Sequence, residues 1–554
     1  MDQIKAIFPY EGPHTESFSS DELSEEEQLI ATMIEQFVEE QVLPQNEALE
    51  ANDYEVGRGL FQASGELGLL GAEVPEAYGG IEMGKKVSGL VAEKMGFGAS
   101  FSVGFNIHTG VGTLPYVYFG TEEQKERYLP KLSSGEWVGA YALTEPGAGS
   151  DALSGKASAK KTDDGWILNG DKQWITNAHM ADVYVVFARS EEGITSFIVE
   201  RTMEGVSVGP EEDKLGIRGS STATLILDNV LVPEENVLGV IGKGHHIALN
   251  ILNLARLKLA FSNVGMSKQA LNEAVEYGKV REQFKQPLVK FPMIQEKLVN
   301  SALEIFGAES STYYTAGILD HLNESLENEQ DIVKSLANYQ MDCAINKVYA
   351  SETLDKAVDE ALQIHGGYGY MKEYPIERMY RDARINRLFE GTNEINRLTI
   401  AKAFLANYYK DNSIIDVELD ESADDVTRFT DLSVRLLQMA VSSLPEMDRA
   451  KMDAEQETLR LVADMLSEIY VLKASLLRPS KDETKQTILE IMSEETYRKV
   501  EAMAISVLSS IEDADERKAA LDEVKSLPVP VYSNIIAKKR VIAEKIINKD
   551  GYYF

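Results

Sequence analysis

The chain has 554 residues, too many for one compact core, and about three or four domains would be usual for that length. Hydrophobic residues make up 44% of it and charged residues 26%, which is typical of a soluble globular protein. The formal net charge of -35 argues against nucleic acid as a partner, because phosphate binding needs a concentrated basic face. A small anionic ligand is not excluded, since a few nearby arginines outweigh distant, screened charges.

The sequence carries no sign of a membrane span or of a targeting segment. No apolar run approaches the roughly 18 uncharged residues that indicate a transmembrane helix. The opening fifty residues are acidic and the first arginine is Arg58, which fits neither a transit peptide nor a secretory signal. The single Cys343, among apolar residues with helical spacing, excludes an intramolecular disulfide and favours inert packing. We therefore expect a cytoplasmic protein without a metal site.

Helical periodicity dominates residues 1–136. Apolar residues recur at helical spacing over residues 29–38, and Ser24 with the three glutamates after it forms an amino-terminal cap. Thr121-Glu122-Glu123-Gln124 has the capping pattern of a later helix. The sequence therefore predicts an amino-terminal helical domain over this stretch.

Between residues 137 and 241 the apolar period changes from 3.6 to 2. Short apolar runs alternate with turn sequences, of which Asp163-Asp164-Gly165 and Asn169-Gly170 are the clearest. The runs are 138–143, 166–168, 183–188, 196–199 and 224–227. This pattern predicts a small antiparallel barrel or sandwich inserted between helical domains.

Helical patterning returns over residues 242–408. The next stretch, 409–425, is acidic and poor in hydrophobic residues, which indicates a linker. Beyond it, apolar residues on shared helix faces predict an extra helical domain over 426–554. The predicted fold is thus mainly α with a β-barrel insert.

The last predicted helix has a basic end, formed by Lys538, Lys539, Arg540 and Lys545. Such a run can bind a membrane surface or a partner protein, but it is more often a solvated helix face. Membrane-surface association is therefore left open without support from the sequence.

A glycine-rich loop follows the first predicted strand. Residues 147–152 match the G-x-G-x-x-G/A dinucleotide pattern, but Ser154-Gly155 ends any helix at once and no second parallel strand follows. The loop is either an ordinary turn or a set of N–H groups and hydroxyls, those of Thr144 and Ser150, that contacts a phosphate or a flat polar ring. Trp174-Ile175-Thr176 places an aromatic face two residues from a hydroxyl, which suits a tricyclic cofactor or, alternatively, the β-domain core.

Glu390 is the most unusual charge in the chain. Leu388 and Phe389 precede it and Gly391-Thr392 follows it, so its carboxyl is expected to be partly desolvated. Desolvation raises the pKa of a carboxyl toward the range useful for a base near neutral pH. Taken alone, a glutamate in such a place is more often a solvated helix end.

Two ordered stretches reverse that balance, because they resemble the signatures of the acyl-CoA dehydrogenases. The first covers residues 141–152 and the second covers residues 363–394, more than two hundred residues further on. The resemblance extends over about residues 24–406. It implies the family's order of helical, β and helical domains with FAD bound between the β domain and the helices that follow. It also implies dehydrogenation of acyl-CoA to trans-2-enoyl-CoA in fatty-acid β-oxidation.

The resemblance assigns roles residue by residue. Glu390 would remove the α-proton while the β-hydrogen leaves as hydride to flavin N5, and its own N–H would help to hold the thioester oxygen. FAD would contact Tyr141, Thr144, Ser150, Trp174, Thr176, Arg281, Phe284, Gln363, Gly367, Thr392 and Glu394. Of these, Arg281, Phe284, Gln363 and Gly367 would reach the FAD of a neighbouring subunit, which implies at least a homodimer. The substrate would contact Ser150, Arg256 and Gly391. Arg256 would lie near the base, but it could equally be a structural ion-pair partner.

Several features refine the resemblance. Ala255 stands where some relatives carry the base, so the usual site at Glu390 is the occupied one. Phe291-Pro292 replaces a pair that often ends in glutamine, at a position expected to contact FAD. The extra helical domain and residues 369–373 resemble the very-long-chain type, which implies a long-chain substrate and a dimer. An electron-transfer flavoprotein is the implied acceptor; the alternatives are an oxidase of this fold that uses oxygen and a non-catalytic assembly protein.

Overall fold

A computed structural model describes residue 8 and residues 20–325, 335–478 and 484–554. The α-helices before the sheet are α1 (Glu25–Phe37), α2 (Asn46–Glu50), α3 (Tyr54–Glu66), α4 (Lys85–Met95), α5 (Phe101–Thr109), α6 (Leu114–Phe119) and α7 (Glu122–Ser133). Both predicted caps are formed, and both Ser24 and Thr121 belong to capping boxes. In each, the cap hydroxyl accepts the N–H three residues on, and the side chain there accepts the N–H of the cap.

The β domain is a mixed sheet. Its strands are β1 (Gly139–Ala142), β2 (Ser158–Thr162), β3 (Gly165–Thr176), β4 (Val183–Ser190), β5 (Gly193–Glu200), β6 (Val206–Glu211), β7 (Thr222–Val232) and β8 (Val237–Leu238). They pair along an open path, β6-β7-β3-β2-β4-β5-β8, with β1 added to β4. The expected antiparallel pairing holds for most pairs, but β1 and β2 each run parallel to β4. The chain between β1 and β4 provides the crossover that a parallel pair requires.

Two predicted turns have different outcomes. Asp163-Asp164 closes the β2–β3 hairpin, as predicted. Asn169-Gly170 lies instead inside β3, where the register with β7 shifts. Gly170 has φ +143°, and a Cβ there would come within 2.8 Å of Ala157, so the glycine permits a bulge rather than a turn.

Alternation along β4 joins the sheet to the helices. Val183, Val185 and Phe187 pack in one hydrophobic core with residues of α6, α7 and the later α8 (Gly244–Val280). Tyr184 and Val186 point to the opposite face, where the sheet forms a core of its own. One face of the sheet is therefore packed against α6, α7 and α8.

The remaining helices form the second helical domain and the extra one. After α8 come α9 (Pro292–Ser325), α10 (Gln340–His365), α11 (Pro375–Ala383) and α12 (Asn393–Tyr408), and a small hairpin, β9 (Glu282–Gln283) with β10 (Gln286–Pro287), joins α8 to α9. The extra helices are α13 (Asp425–Ser442), α14 (Arg449–Ala454), α15 (Gln456–Leu477), α16 (Thr484–Leu508), α17 (Ala514–Lys525) and α18 (Ile535–Asn548). One hydrophobic core includes Ile400 of α12 and Leu466 of α15, so the extra helices pack directly on the second helical domain. Cys343 is buried in α10, as predicted.

At the basic end of α18, Arg540 is exposed, as expected of a solvated helix face, but the three lysines are half-buried and paired. Lys538 pairs with Glu490 at 2.8 Å and Lys539 pairs with Glu495 at 2.6 Å, while Lys545 bonds to Thr484. All three partners lie on α16, so these charges hold α18 against its neighbour. Among the described residues, no helix combines the length and apolarity that crossing a bilayer requires.

Candidate active site

Glu390 lies in the loop between α11 and α12 in an uncommon backbone conformation. Its φ is +56° and that of Gly391 is +81°, so two successive residues are left-handed. A non-glycine residue in this region costs about 1 kcal/mol and persists only where the surroundings hold it. Gly391 adopts the second left-handed conformation without steric cost, because it has no Cβ.

Side chains from three helices hold this loop by its carbonyl oxygens. Arg256 of α8 donates from Nε to the main-chain oxygen of Glu390 at 3.1 Å. Lys347 of α10 donates to the oxygen of Gly391 at 2.8 Å, and Asn396 of α12 donates to the same oxygen at 2.8 Å. Among the described residues, no acceptor bonds the N–H of Glu390. That N–H is therefore available to a ligand.

The carboxyl of Glu390 is desolvated, as its apolar neighbours suggested. Its Oε2 is buried without a hydrogen-bond partner among the described residues. Burial raises the pKa of Glu390, and the positive charges of Arg256 and Lys347 only partly offset that rise. A carboxylate with a raised pKa and a free oxygen is well suited to accept a proton.

Glu390 lines a cavity with an empty volume of about 570 Å³. Its apolar walls come from Val103, Ile107, Val111, Leu259, Met266 and Phe389, and Ala255 also lines it. Asn106 and Lys258 lie between this cavity and a smaller one of about 220 Å³. Lys258 donates to Glu73 at 2.9 Å and to both oxygens of Thr109 at 3.2 Å, so its amine is already engaged. The cavity suits a flexible apolar chain whose reactive end meets Glu390.

The predicted flavin contacts of the β domain lie close together. Tyr141, on β1, has a buried hydroxyl without a partner among the described residues, and its pKa is raised by burial and then by the charge of Glu390. The carbonyl of Thr144 accepts the N–H of Gln173 at 2.8 Å, which places the glycine-rich loop beside Trp174. Ser150 is exposed on that loop.

Trp174 presents an aromatic face at a strained position. Its φ is +58° and its side chain is 58% exposed, next to a register shift in β3. A bulky residue in the left-handed region is a backbone outlier, and such strain is concentrated at functional sites. Thr176, two residues on, is half-buried at the end of β3. This arrangement fits a flat, polar ring system, and the orphaned Tyr141 hydroxyl fits it too.

A buried ion pair that the sequence did not indicate supports the same loop. Glu145 pairs with Lys172 at 2.6 Å and accepts the N–H groups of Lys156 at 2.5 Å and Ala157 at 3.1 Å. Lys172 occupies an inward-facing position of β3, and that placement is the one signal that could have revealed it.

The residues expected to reach a neighbouring subunit lie on an exposed surface. Arg281 stacks its guanidinium over the ring of Tyr368, 5.3 Å from its centroid, which brings the β9–β10 hairpin to the loop containing Gly367. Phe284 is 88% exposed at the hairpin tip, where it and Lys285 both have positive φ, as in a type I′ turn. Gln363 and Gly367 are also exposed.

Thr392 and Glu394 begin α12. Thr392 is the amino-terminal cap of the helix and accepts the N–H of Ile395 at 3.3 Å, and Glu394 is exposed in the first turn. Phe291-Pro292 opens α9, and the ring of Phe291 packs edge-on against that of Phe284, with the ring centroids 6.2 Å apart. The sequence did not single out Lys347, Asn393 or Asn396; only the placement of Lys347 between Ala344 and Val348 on an apolar helix face could have drawn attention to it.

Comparison with known proteins extends over nearly the whole chain. Models of the acyl-CoA dehydrogenase N-terminal, middle and C-terminal domains match residues 24–136, 140–230 and 242–405. A further acyl-CoA dehydrogenase C-terminal domain model matches residues 439–526. The extra helices are therefore also known from this group of proteins.

Individual relatives agree. A probable acyl-CoA dehydrogenase of Bacillus subtilis (strain 168) is 41% identical over 572 residues, covering 97% of this chain and 96% of the relative. The mitochondrial very long-chain specific acyl-CoA dehydrogenase of Homo sapiens is 37% identical over 413 residues, 71% of this chain and 59% of that protein. The crystal structure of an acyl-CoA dehydrogenase complexed with FAD from Bacillus anthracis matches with a TM-score of 0.94 at 42% identity, covering 98% of both chains.

The helical, β and helical order, with a desolvated carboxyl over an apolar cavity beside an exposed aromatic face, fits a flavoprotein oxidoreductase. Since the matches cover both the domains and the extension, the chain belongs to the acyl-CoA dehydrogenase family. It is an FAD-dependent acyl-CoA dehydrogenase with an extra C-terminal helical domain.

Proposed function

We propose that this protein converts long-chain acyl-CoA thioesters to trans-2-enoyl-CoA in fatty-acid β-oxidation, with Glu390 as the base that removes the α-proton. The observation that carries the proposal is the Glu390 carboxyl itself, whose Oε2 is buried without a partner and which borders an apolar cavity. The α-proton of a thioester is only weakly acidic, so its removal needs both an aligned base and donors for the enolate oxygen.

The chain's own residues meet these two needs. The Glu390 carboxylate takes up the α-proton, and the N–H of Glu390 donates to the thioester oxygen, on which negative charge develops. Arg256 keeps that loop in place through the Glu390 carbonyl, and Gly391 lets the thioester approach the backbone. When bound against Tyr141, Thr144, Trp174 and Thr176, and held by Thr392 and Glu394, FAD supplies the acceptor for the β-hydrogen. Ser150, exposed on the glycine-rich loop, would contact the CoA portion.

The long-chain preference is supported by the apolar lining of the cavity and by the extra C-terminal helical domain. Sequence identity does not bear on it, because the very long-chain specific and the short-chain specific enzymes of Homo sapiens are each 37% identical to this chain. Anaerobic titration of the purified yellow holoenzyme with saturated acyl-CoAs of graded length tests it. We expect flavin bleaching, fastest with long chains. Bleaching that is fastest with butyryl-CoA would contradict the chain-length assignment, and no bleaching at any length would contradict the reaction.

A dimer is part of the proposal. Phe284, Gln363 and Gly367 are exposed, and Arg281 ties the hairpin that carries Phe284 to the loop that carries Gly367. A large aromatic side chain left in water at a hairpin tip is typical of a binding surface. We assign these four residues to the FAD of a second subunit.

The electron acceptor is proposed to be an electron-transfer flavoprotein. In the alternative, an oxidase, the reduced flavin would turn over rapidly in air with release of peroxide, and stopped-flow reoxidation separates the two. A non-catalytic assembly role is disfavoured because the base and its supporting contacts are intact. The cytoplasmic location stays a prediction, and the engaged lysines of α18 give membrane-surface association no support.

A further inference from the structure

Lys347 is a buried lysine directly behind the loop of Glu390. Its residue is 0% exposed on α10, yet its amine reaches the oxygen of Gly391 at 2.8 Å and Oδ1 of Asn393 at 2.7 Å. Burying an amine is costly unless its bonds are met, so a lysine is retained at such a place only where its contacts compensate. Both contacts are to residues that adjoin the proposed base.

A series of polar contacts continues from Lys347 to the extra helical domain. Nδ2 of Asn393 donates to Glu352 at 3.1 Å, and Glu352 pairs with Arg397 of α12 at 2.8 Å. Arg397 in turn pairs with Asp464 of α15 at 2.6 Å. The extra domain is therefore linked to the Glu390 loop by direct side-chain contacts, without a gap.

Titratable groups face Glu390 from several helices and from the sheet. The positive charges of Arg256 and Lys347 partly offset the rise that burial causes in the pKa of Glu390, and Tyr141 faces its carboxyl from β1. Behind Lys347 lie the carboxylates of Glu352 and Glu394. Other titratable groups of the site, farther from the carboxyl, are Lys258 and Asp382 along the cavity and Cys343 beside Arg256.

We propose that Lys347 is a positioning residue for the dehydrogenation. It fixes the Glu390–Gly391 backbone through the Gly391 oxygen and places a second positive charge beside the base. Asp464 of the extra domain holds Lys347 in this place through the contacts of Arg397, Glu352 and Asn393. The inference rests on the proposed role of Glu390. It gives the extra domain a function in catalysis, as a support of the active-site loop.

Removal of the lysine has two separable effects. Without the bond to the Gly391 oxygen, two successive left-handed residues lose one of the donors that stabilise them, and the base becomes misplaced. Without the charge, the pKa of Glu390 rises, so a higher pH is needed to ionise the base. Burial lowers the pKa of Lys347 to about 7, so the amine supplies this positive charge below that pH.

The test compares Lys347→Met, Lys347→Arg and the control Lys356→Met in the holoenzyme. Lys356 is on the same helix but pairs with Glu304 at 2.8 Å on its exposed side. We expect anaerobic flavin reduction by acyl-CoA to slow by about 10- to 100-fold in the Met variant, with the acid limb of the rate profile moved up by about one pH unit. The Arg variant should restore the limb, and Lys356→Met should match the wild type.

An unchanged rate and limb in Lys347→Met would overturn the proposal, as would an equal limb shift in the Met and Arg variants. Hydrogen exchange of the peptide spanning residues 388–396 supplies a readout that needs no substrate: it should speed up in Lys347→Met and not in Lys356→Met. Unchanged exchange there would also overturn it. If the wild type is not bleached by acyl-CoA at all, the proposed function fails, while the exchange result still decides the positioning role.

The link to the extra domain has its own matched pair of variants. Asp464→Asn removes the partner of Arg397, whereas Asp453→Asn removes the partner of Lys402, another α12 side chain held by the extra domain, at 2.6 Å. We expect Asp464→Asn to slow flavin reduction by about two- to tenfold and to speed exchange over residues 388–396, and Asp453→Asn to do neither. Equal effects of the two variants would overturn this part of the proposal.

Discussion

Arg256 binds the backbone of Glu390 rather than its carboxylate: Nε donates to the main-chain oxygen at 3.1 Å, while Oε2 of Glu390 has no partner among the described residues. Nη1 of Arg256 is engaged by Asn253 at 2.9 Å. Of the two roles left open by the sequence, an ion-pair partner and a neighbour of the base, these contacts favour the second. The guanidinium fixes the base without neutralising it by a direct bond.

The first prediction concerns this contact. Arg256→Gln removes a charged donor to a buried carbonyl, a bond of about 1.5–3 kcal/mol, so flavin reduction should slow by about 10- to 100-fold. Single-turnover reduction by acyl-CoA measures it. Arg387→Gln is the control, because Arg387 precedes the same loop but pairs with Asp355 at 3.0 Å. Equal rates in Arg256→Gln and the wild type would refute the positioning role of Arg256.

The second prediction concerns the base. Glu390→Gln keeps the size of the side chain but cannot accept the α-proton, and loss of a general base costs about 10²- to 10⁴-fold. FAD content should stay that of the wild type. In the wild type the rate should fall as pH drops through a pKa above the ordinary glutamate value, because burial raises it and only the ionised form is active. The control is Glu360→Gln, which alters an ion pair with Lys297 and should change neither the rate of flavin reduction nor its pH profile. A wild-type rate in Glu390→Gln would show that Glu390 is not the base.

Local patterns carried most of what the sequence could predict. The caps at Ser24 and Thr121 and the Asp163-Asp164 turn depend on residues within a few positions of each other, so the local sequence is enough to predict them. Glu390 stood out because apolar neighbours adjoin it in sequence, but only the resemblance of two distant stretches to the acyl-CoA dehydrogenase signatures made it the expected base. The pairing of β1 with β4 was not, since parallel partners are chosen across a long connection.

The same limit applied to the supports of the active site. Lys347 meets Gly391 across 44 residues, and Arg397 meets Asp464 across 67. No local pattern in the chain encodes such contacts; they follow from how α10, α12 and α15 pack. Residue type alone could have marked Lys347 only as a charge on an apolar helix face.

The third prediction tests the aromatic face at Trp174. Trp174→Ala should weaken FAD binding by about tenfold, the upper range for loss of one aromatic contact, while Trp174→Phe should retain most of it. The FAD-to-protein ratio after ultrafiltration at a series of FAD concentrations gives the affinity. Leu231→Ala, another exposed apolar residue of the sheet, is the control. If Trp174→Ala holds FAD as the wild type does, the tryptophan is not a flavin contact.

The fourth prediction couples FAD to assembly. If Phe284 contacts the FAD of a second subunit, Phe284→Ala should lower FAD affinity and subunit association together, and the apo-protein should dissociate more readily than the holo-protein. Sedimentation velocity of holo- and apo-protein over a dilution series measures both. Val531→Ala, which alters an exposed apolar residue of the extra domain, should leave them unchanged. Association that is the same with and without FAD would contradict a shared site.

The fifth prediction concerns stability at acid pH. His108 is fully buried: its Nδ1 accepts the N–H of Gly139 and its Nε2 donates to the carbonyl of Leu132, both at 3.0 Å, so it joins α5 to the start of the sheet as a neutral ring. Burial lowers the pKa of His108 to about 4 from the model-peptide value of 6.5. The unfolded chain takes up this proton below pH 6.5 and the folded protein does not until about pH 4. The stabilisation is therefore present above pH 6.5 and is lost as pH falls toward 4, by about 2 kcal/mol at pH 5. Denaturant unfolding at pH 7 and pH 5 measures the free energy of unfolding. His108→Gln should be less stable than the wild type at pH 7, but its free energy of unfolding should fall by about 2 kcal/mol less between pH 7 and pH 5, whereas exposed His246→Gln should lose as much as the wild type. An equal loss in His108→Gln and the wild type would show that this histidine is not the group that titrates.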